Sequence, residues 1–394
     1  MYKHFAEYSE ILASRRELYK RYGIGLDQSG LSSGVALEPM RFKQELERNA
    51  LLNFGAVASA SVQQSCEGVE VSGTANASAK DYEAKGLDLG DEQSIADFIS
   101  SNSVCDVRVE ASEGSDVSAN ILFVADSFLP VKITVNAERG SNIRLLEWFA
   151  SEGMGIMPLH EISAGSSANV DISVVHNESD SAKSVSLASA TAAERAVIQI
   201  NQVFSGSAKS KSAVFATAEG DASSVGANSI VIGSGSQAFD IGSVLRGIGK
   251  NTNLQARTGA VLLGRSHCLI KDFAKVCNTA KGSYSYVEER GLLLSSDSNF
   301  VPLPDMSIDT KNVSFASHSA SSAPLSGESV FYMMSRGMSE EHARRSLTLA
   351  FLMHYINGMS NAKAKEVAAS IINSKALGGG IDAAPQLSIA NVWQ

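Results

Sequence analysis

Two hydrophobic periodicities divide the chain. In the first twenty-odd residues Phe5, Tyr8, Ile11, Leu12, Leu18 and Tyr19 recur at mostly three- to four-residue steps, with Glu, Lys and Arg between them. That spacing predicts an amphipathic helix closed by Gly23 and Gly25. A second short helix is predicted over Asp91–Ser100, where Asp91 can cap and Ile95, Phe98 and Ile99 make an apolar face. From about Val104 the period falls to two. Cys105–Glu110, Ile121–Val124 and Val131–Val135 read as strands separated by Ser, Asp, Gly and Pro, and such segments continue to about Leu294 with no long helix among them.

So long a β stretch must protect its edges, and a repeat supplies the means. Ile143-Arg144-Leu145, Val170-Asp171-Ile172, Ile198-Gln199-Ile200 and Leu254-Gln255-Ala256 share one pattern at offsets of 27, 28 and 56 residues. A second register runs through Val185, Ala213, Ile241 and Leu269 in steps of 28. A long period without intervening helices predicts a β-solenoid, in which each coil buries a face against the next; an evenly spaced sandwich is the alternative. Helical periodicity returns near the end. Gly327–Arg336 is predicted helical, with Val330, Phe331 and Met334 on one face and Gly337 at the C′ position. Ser339 caps a second helix whose stripe is Leu347, Ala350, Phe351 and Tyr355, and Ser360 caps a third that carries Val367, Ala368, Ile371 and Ile372 and ends at Gly378-Gly379-Gly380. The expected organisation is a mostly helical region over 1–100, a solenoid core over 101–315 and a helical region over 316–394.

Composition narrows the function classes. The 394 residues are 44% hydrophobic and 19% charged, which is globular rather than disordered. A net charge of −9 argues against a nucleic-acid partner. No apolar run approaches the roughly 18 residues of a spanning helix, and the opening Met1–Glu7 turns charged where a signal peptide would be apolar. Cys66, Cys105, Cys268 and Cys277 are scattered, the usage of a reduced, cytoplasmic chain. Cys268 sits in an apolar strand and is expected to be structural, whereas Cys277 lies near a turn and is the better candidate for an accessible thiol. Gly247–Thr252 lacks the upstream glycine and the hydroxyl residue of a phosphate loop, and metalloprotease, EF-hand and nucleophile-elbow motifs are absent. Without a catalytic constellation the chain is expected not to be an enzyme. A polysaccharide-active β-helix is the alternative, with Glu288-Glu289-Arg290 read as a charged rim.

One stretch is distinctive as a whole. Ser326–Arg345, with Ser329-Val330-Phe331-Tyr332 leading to Arg336-Gly337-Met338-Ser339-Glu340-Glu341-His342-Ala343-Arg344, resembles the C-terminal signature of the SufB/SufD family of iron–sulfur cluster assembly scaffolds. Leu269–Lys271, Gly282–Tyr286 and Gly291–Ser295 are similar to the family's last coils, and Ala316–Ala320 to its Ser-His anchor. The resemblance implies a right-handed β-helix with helical flanks, pairing edge to edge with a SufB-type partner or with itself. It also implies a SufC-type ABC ATPase bound at the helices around Phe331, Tyr332, Arg336 and Met338, which would supply the missing phosphate loop. His318 matches the family histidine at the pairing interface, where a nascent iron–sulfur cluster would form. Ser319 stands where SufB carries Glu, and Gly282–Asn299 holds no cysteine where SufB carries its sulfur acceptor, so the chain looks closer to SufD, with Cys277 as the substitute ligand.

Overall fold

The computed structural model describes residues 58–63, 69–72, 92–103, 105–125, 129–151, 155–359 and 361–375. The predicted N-terminal helix, the Asp91 and Ser360 caps, Cys66 and the Gly378–Gly380 terminator lie outside these residues. The expected β-solenoid with flanking helices is what the chain forms. Strands alternate between two sheets from β3 (Cys105–Ala111) and β4 (Asp116–Ala125) to β16 (Ser283–Leu293), odd strands in one sheet and even strands in the other, and with the strands that follow they give about eight coils. The coil strands from β3 to β16 pair in parallel with the equivalent strand one coil away.

The coils up to β16 share one corner. The residue that turns the chain into the even sheet sits in the left-handed region in seven successive coils, at Gly114, Gly140, Ser167, Arg195, Ala222, Asn251 and Gly282. Its N–H donates to a carbonyl of the next coil, as from Gly140 to Ser166 and from Arg195 to Asp221. Glycine takes this conformation freely, while Arg195 and Ala222 must be held in it by that ladder.

The register explains what the repeat did and did not predict. Ile143, Val170, Ile198, Val225 and Leu254 form one continuous core-facing column, as the first repeat implies. The second register does not hold. Val185 stacks on Lys211, Lys211 on Asp240 and Asp240 on Leu269. Coil lengths vary with corner length, so a fixed step of 28 drifts onto Ala213 and Ile241, which belong to other columns.

The core lies between the sheets. Val107, Ile121, Ile133, Phe123 and Phe149 fill the early coils, and Ala190, Ala216, Ala256 and Ala274 thin it later. Successive rings at one position stack: Phe123 on Phe149 (4.7 Å between centroids), Phe149 on His176 (5.3 Å) and His176 on Phe204 (4.8 Å). Helix α1 (Glu92–Asn102) packs on β5 (Leu129–Ala137) and β7 (Ile156–Ala164), burying Ile95 and Ile99, and its Glu92 pairs with Lys211 at 2.9 Å. Among the described residues no helix is long and apolar enough to cross a membrane.

The last coil runs further than the periodicity suggested. After β16 (Ser283–Leu293) come two short strands, β17 (Asn299–Pro302) and β18 (Asp305–Ile308), and then β19, which spans Val313–Pro324 and pairs with β16. Helix α2 (Gly327–Ser335) follows, capped by Ser326, with Gly337 in the left-handed region just beyond Arg336. Helix α3 (Glu340–Ile356) starts at the expected Ser339 cap. Its buried stripe is Ala343, Thr348, Leu352, Tyr355 and Ile356, whereas Ala350 is exposed, so the face is rotated from the predicted one. Helix α4 (Ala362–Lys375) is capped by Asn361, whose side-chain Oδ1 accepts from the Lys363 and Ala364 N–H groups. Both α3 and α4 lie on the outer face of the even sheet over Leu146, Val175, Ile230, Ile232 and Val261.

Candidate functional site

Along a parallel ladder, partners in register share a face, so the position of each residue on β19 follows from β16. His318 stands against Val287, a core residue, and therefore extends the core-facing column past the last coil. With no further coil above it, His318 is exposed. Ser319, its neighbour, pairs with Glu288 and lies on the outer face.

Among the described residues the two most exposed large apolar side chains lie on the arm that follows. Phe331 is 70% and Tyr332 60% exposed, and Met334 and Met338 are exposed too, while Val330 alone in α2 is buried. The predicted face of Val330, Phe331 and Met334 is thus split, one residue packing inward toward α3 and the others facing solvent. Arg336 lies 5.3 Å from the Tyr332 ring centroid and donates to its phenol at 3.2 Å. That contact pre-orders two of the four residues expected to meet a partner.

Cys277 is half-buried at the corner after β15 (His267–Val276), its N–H bonded to Gly247 O. Among the described residues no group of three or more His, Cys, Asp or Glu side chains is placed to hold a metal ion. Cys268 is buried as expected. Burial first, then Asp240, Glu289 and Asp272, push its thiol well above the usual range.

The charged rim is a correction. Glu288 and Glu289 are fully buried, on opposite faces of β16. Glu289 points into the solenoid and accepts the Asp272 N–H at 2.9 Å, while the Asp272 carboxylate takes the hydroxyls of Ser243 (2.6 Å) and Thr258 (2.8 Å). Glu288 points outward beneath α3. Its carboxylate takes Arg290 at 2.8 Å, the Tyr286 phenol at 3.0 Å, His354 at 3.3 Å and Arg257 at 3.5 Å. Burial, then the bond to Glu288, raises the Tyr286 phenol above its ordinary value, with the nearby Ser319 hydroxyl and Arg290 pulling the other way. These carboxylates are enclosed by protein and line no open acidic groove.

Sequence reasoning also missed two couples inside the solenoid. His160 meets Glu147 at 2.6 Å and His176 meets Glu178 at 3.2 Å, all four buried. Alternation assigns residues to two faces but does not say which face is sealed. The Glu288 group left a trace, since Tyr286, Glu288 and Arg290 alternate along one face of a strand next to apolar Leu292.

Comparison with known proteins bears on this geometry. Residues 123–351 match the family described as SUF system FeS cluster assembly, SufBD core domain. An iron-sulfur cluster assembly SufBD family protein of Archaeoglobus fulgidus is 30% identical over 140 residues, 34% of this chain and 36% of that protein. Proteins of the same description from Staphylococcus epidermidis and Synechocystis are 27% and 26% identical, over 32% and 33% of this chain and 26% and 27% of theirs. The aligned stretches thus span about a third or less of these relatives' lengths. The family match covers more than half of the chain, including the coils from β4 onward, the His318 strand and helix α2. The chain belongs to the SufBD family of SUF-system iron–sulfur cluster assembly proteins.

Proposed function

We propose that this chain is a scaffold subunit, not an enzyme, of an iron–sulfur cluster assembly complex. It pairs through the open edge of β19 with a SufB-type partner or a second copy, and it binds a SufC-type ABC ATPase on α2 through Phe331, Tyr332, Arg336 and Met338. The observation that carries this reading is the position of His318. It extends the core-facing column into solvent on a strand whose outer edge no described strand pairs, and only Leu325 and Ser326 separate the end of that strand from α2. An exposed twelve-residue edge strand is a template for another chain, and exposed aromatic and methionine side chains beside an arginine suit a protein groove.

In this reading the nascent cluster is cargo. One imidazole and one distant thiol are too few ligands to retain it, so the site is completed across the pair, with His318 as one ligand and Cys277 as a second. The absence of cysteine over Gly282–Asn299 and the presence of Ser319 favour a SufD-like role, in which the partner carries the sulfur chemistry.

Anaerobic reconstitution with ferrous iron and sulfide tests this, read by visible absorption and bound iron in the wild type, His318→Ala and Cys277→Ser, each with and without the SufB-type partner. Cluster uptake that needs the partner and falls in His318→Ala is the expected result. Uptake equal in all three proteins would remove the cluster role from these residues. Co-purification of the ATPase with the wild type, lost in Phe331→Ala/Met338→Ala, tests the dock separately.

A further inference from the structure

The helical arm and the terminal strand are joined twice. Chain connectivity makes the first joint, since Leu325 and Ser326 alone separate β19 from α2, and the Leu325 N–H donates to Leu293 O on β16. The second joint lies at the far end of α3, which packs against α2 and over β12 (Ser224–Gly233) and β14 (Asn253–Leu262). There the Tyr355 ring occupies the space above Gly259, where any Cβ would collide with it. Arg257 lies 5.8 Å from the ring centroid, Asn228 donates to Tyr355 O at 3.1 Å, and His354 contacts both Arg257 and Glu288.

Glu288 is the meeting point of these contacts. Two cations and the Tyr286 phenol approach it from the sheet, and His354 approaches it from the helix. Its register partner on β19 is Ser319, beside His318. The Ser319 hydroxyl is buried close to the Tyr286 phenol but lacks a hydrogen-bond partner of good geometry. The path therefore closes on itself: β19 to α2 by the chain, α2 to α3 by packing, α3 to β16 through Glu288, and β16 back to β19 by strand pairing.

We propose that the Glu288 cluster is a mechanical link that passes displacement of the C-terminal helices to β19 and so sets the position and order of the His318 strand. A shift of α3 moves His354 and Tyr355 over β14. Glu288 is sealed from water, so it cannot exchange its lost partners for solvent. Either β16 follows the helix or Glu288 and Arg257 each lose the contact that His354 supplied. Because β19 takes its backbone pairing from β16, both outcomes reach His318. The coupling is a contiguous network of polar contacts and packed elements, and His354, Tyr355, Glu288 and Tyr286 act in it as positioning residues. Its functional sense rests on the proposed reading of α2 and β19 as docking surfaces, but the link itself belongs to the chain alone.

Amide hydrogen exchange on the full chain tests it, comparing peptides of β19 with peptides of β4 and β6 (Asn142–Ser151) as an internal reference. His354→Ala leaves the covalent joint intact and lies on a partly exposed helical residue, so it is the mild variant. The expected result is β19 exchange about tenfold faster with the reference strands unchanged. Tyr286→Phe, which removes the phenol's bond to Glu288 without touching α3, is expected to have a similar effect. Combining the two is expected to add little, because they cut one path. The proposal is overturned if β19 exchange is unaltered in His354→Ala, if every strand speeds up alike, or if the two effects multiply. The Phe331→Ala/Met338→Ala co-purification result stands or falls independently, so failure of the docking reading and failure of the link are distinguishable.

Discussion

The two ends of the solenoid are finished differently. At the N-terminal end β1 (Ala58–Gln63) runs antiparallel to β4 and β2 (Val69–Ser72) runs antiparallel to β3, so each sheet ends on a strand that runs against the direction of the coil. At the C-terminal end β19 is laid down parallel to β16, and no described strand covers its other edge. The fillings differ in the same sense. Early coils are packed with Val107, Ile121, Phe123, Ile133 and Phe149 around the Glu147–His160 pair, whereas the late coils enclose a larger polar group, Ser243, Thr258, Asp272 and Glu289, beside Phe239 and Ile270. Apolar burial contributes stability in proportion to area, while enclosed polar groups contribute little net and are costly when unpaired. The N-terminal coils are thus expected to contribute more of the stability, and the C-terminal end carries the exposed His318, the β19 edge and helix α2.

The largest expected effect is a test of that division. Phe149 is buried at the centre of the ring stack between Phe123 and His176. Phe149→Ala leaves a cavity between two sheets that cannot collapse independently, and it is expected to cost about 3–5 kcal/mol, measured by equilibrium denaturation. A loss below about 1 kcal/mol would mean that the early coils are not where the stability lies, and the contrast between the ends would fail.

A smaller effect separates the two fillings by pH. The Cys105 thiol at the start of β3 is pushed up from 9.0 to about 11, by burial first and then by Asp106. A raised thiol pKa means that the unfolded chain ionises first. Stability is therefore complete below pH 9 and declines as the pH rises toward 11, by at most about 2.7 kcal/mol for this group. Cys268 is raised in the same direction, but there Asp240, Glu289 and Asp272 reinforce burial. Denaturation of the wild type and Cys105→Ala from about pH 8 to about pH 11 is expected to show a shallower alkaline decline in the variant. Identical slopes would remove Cys105 from the linkage.

How much of this was legible in the sequence follows from the same physics. Ile143, Val170, Ile198 and Leu254 announced their column because like residues stack on like in a parallel ladder. Val185 to Leu269 did not, because Lys211 and Asp240 occupy the intervening coils and corner lengths shift the step. His318 and the arm residues Phe331, Tyr332 and Met338 were singled out by resemblance to a local motif, and a local motif is read without knowledge of register. The Glu288 cluster was misjudged as a rim because it lies beneath α3, whose His354 meets Glu288 from more than sixty positions along the chain. Nothing within one strand records that a distant helix will cover it.

The smallest effect on stability is expected where the proposed function is most exposed. Ala320 follows Ser319 on β19, is exposed, and shares the face of Glu289 at the open end. A lysine there meets solvent in the isolated chain, and surface substitutions of this kind change stability by less than about 0.5 kcal/mol. In a pair joined through β19 the same lysine would have to be desolvated at a strand edge, the device by which natural sheets prevent edge-to-edge association. Ala320→Lys is therefore expected to leave the denaturation midpoint unchanged while converting the paired form to single chains in sedimentation velocity. Intact pairing in the variant would move the interface away from β19. A lowered midpoint in a protein that is already single would mean that the open end contributes to the fold after all, and that the two ends differ less than their strand directions suggest.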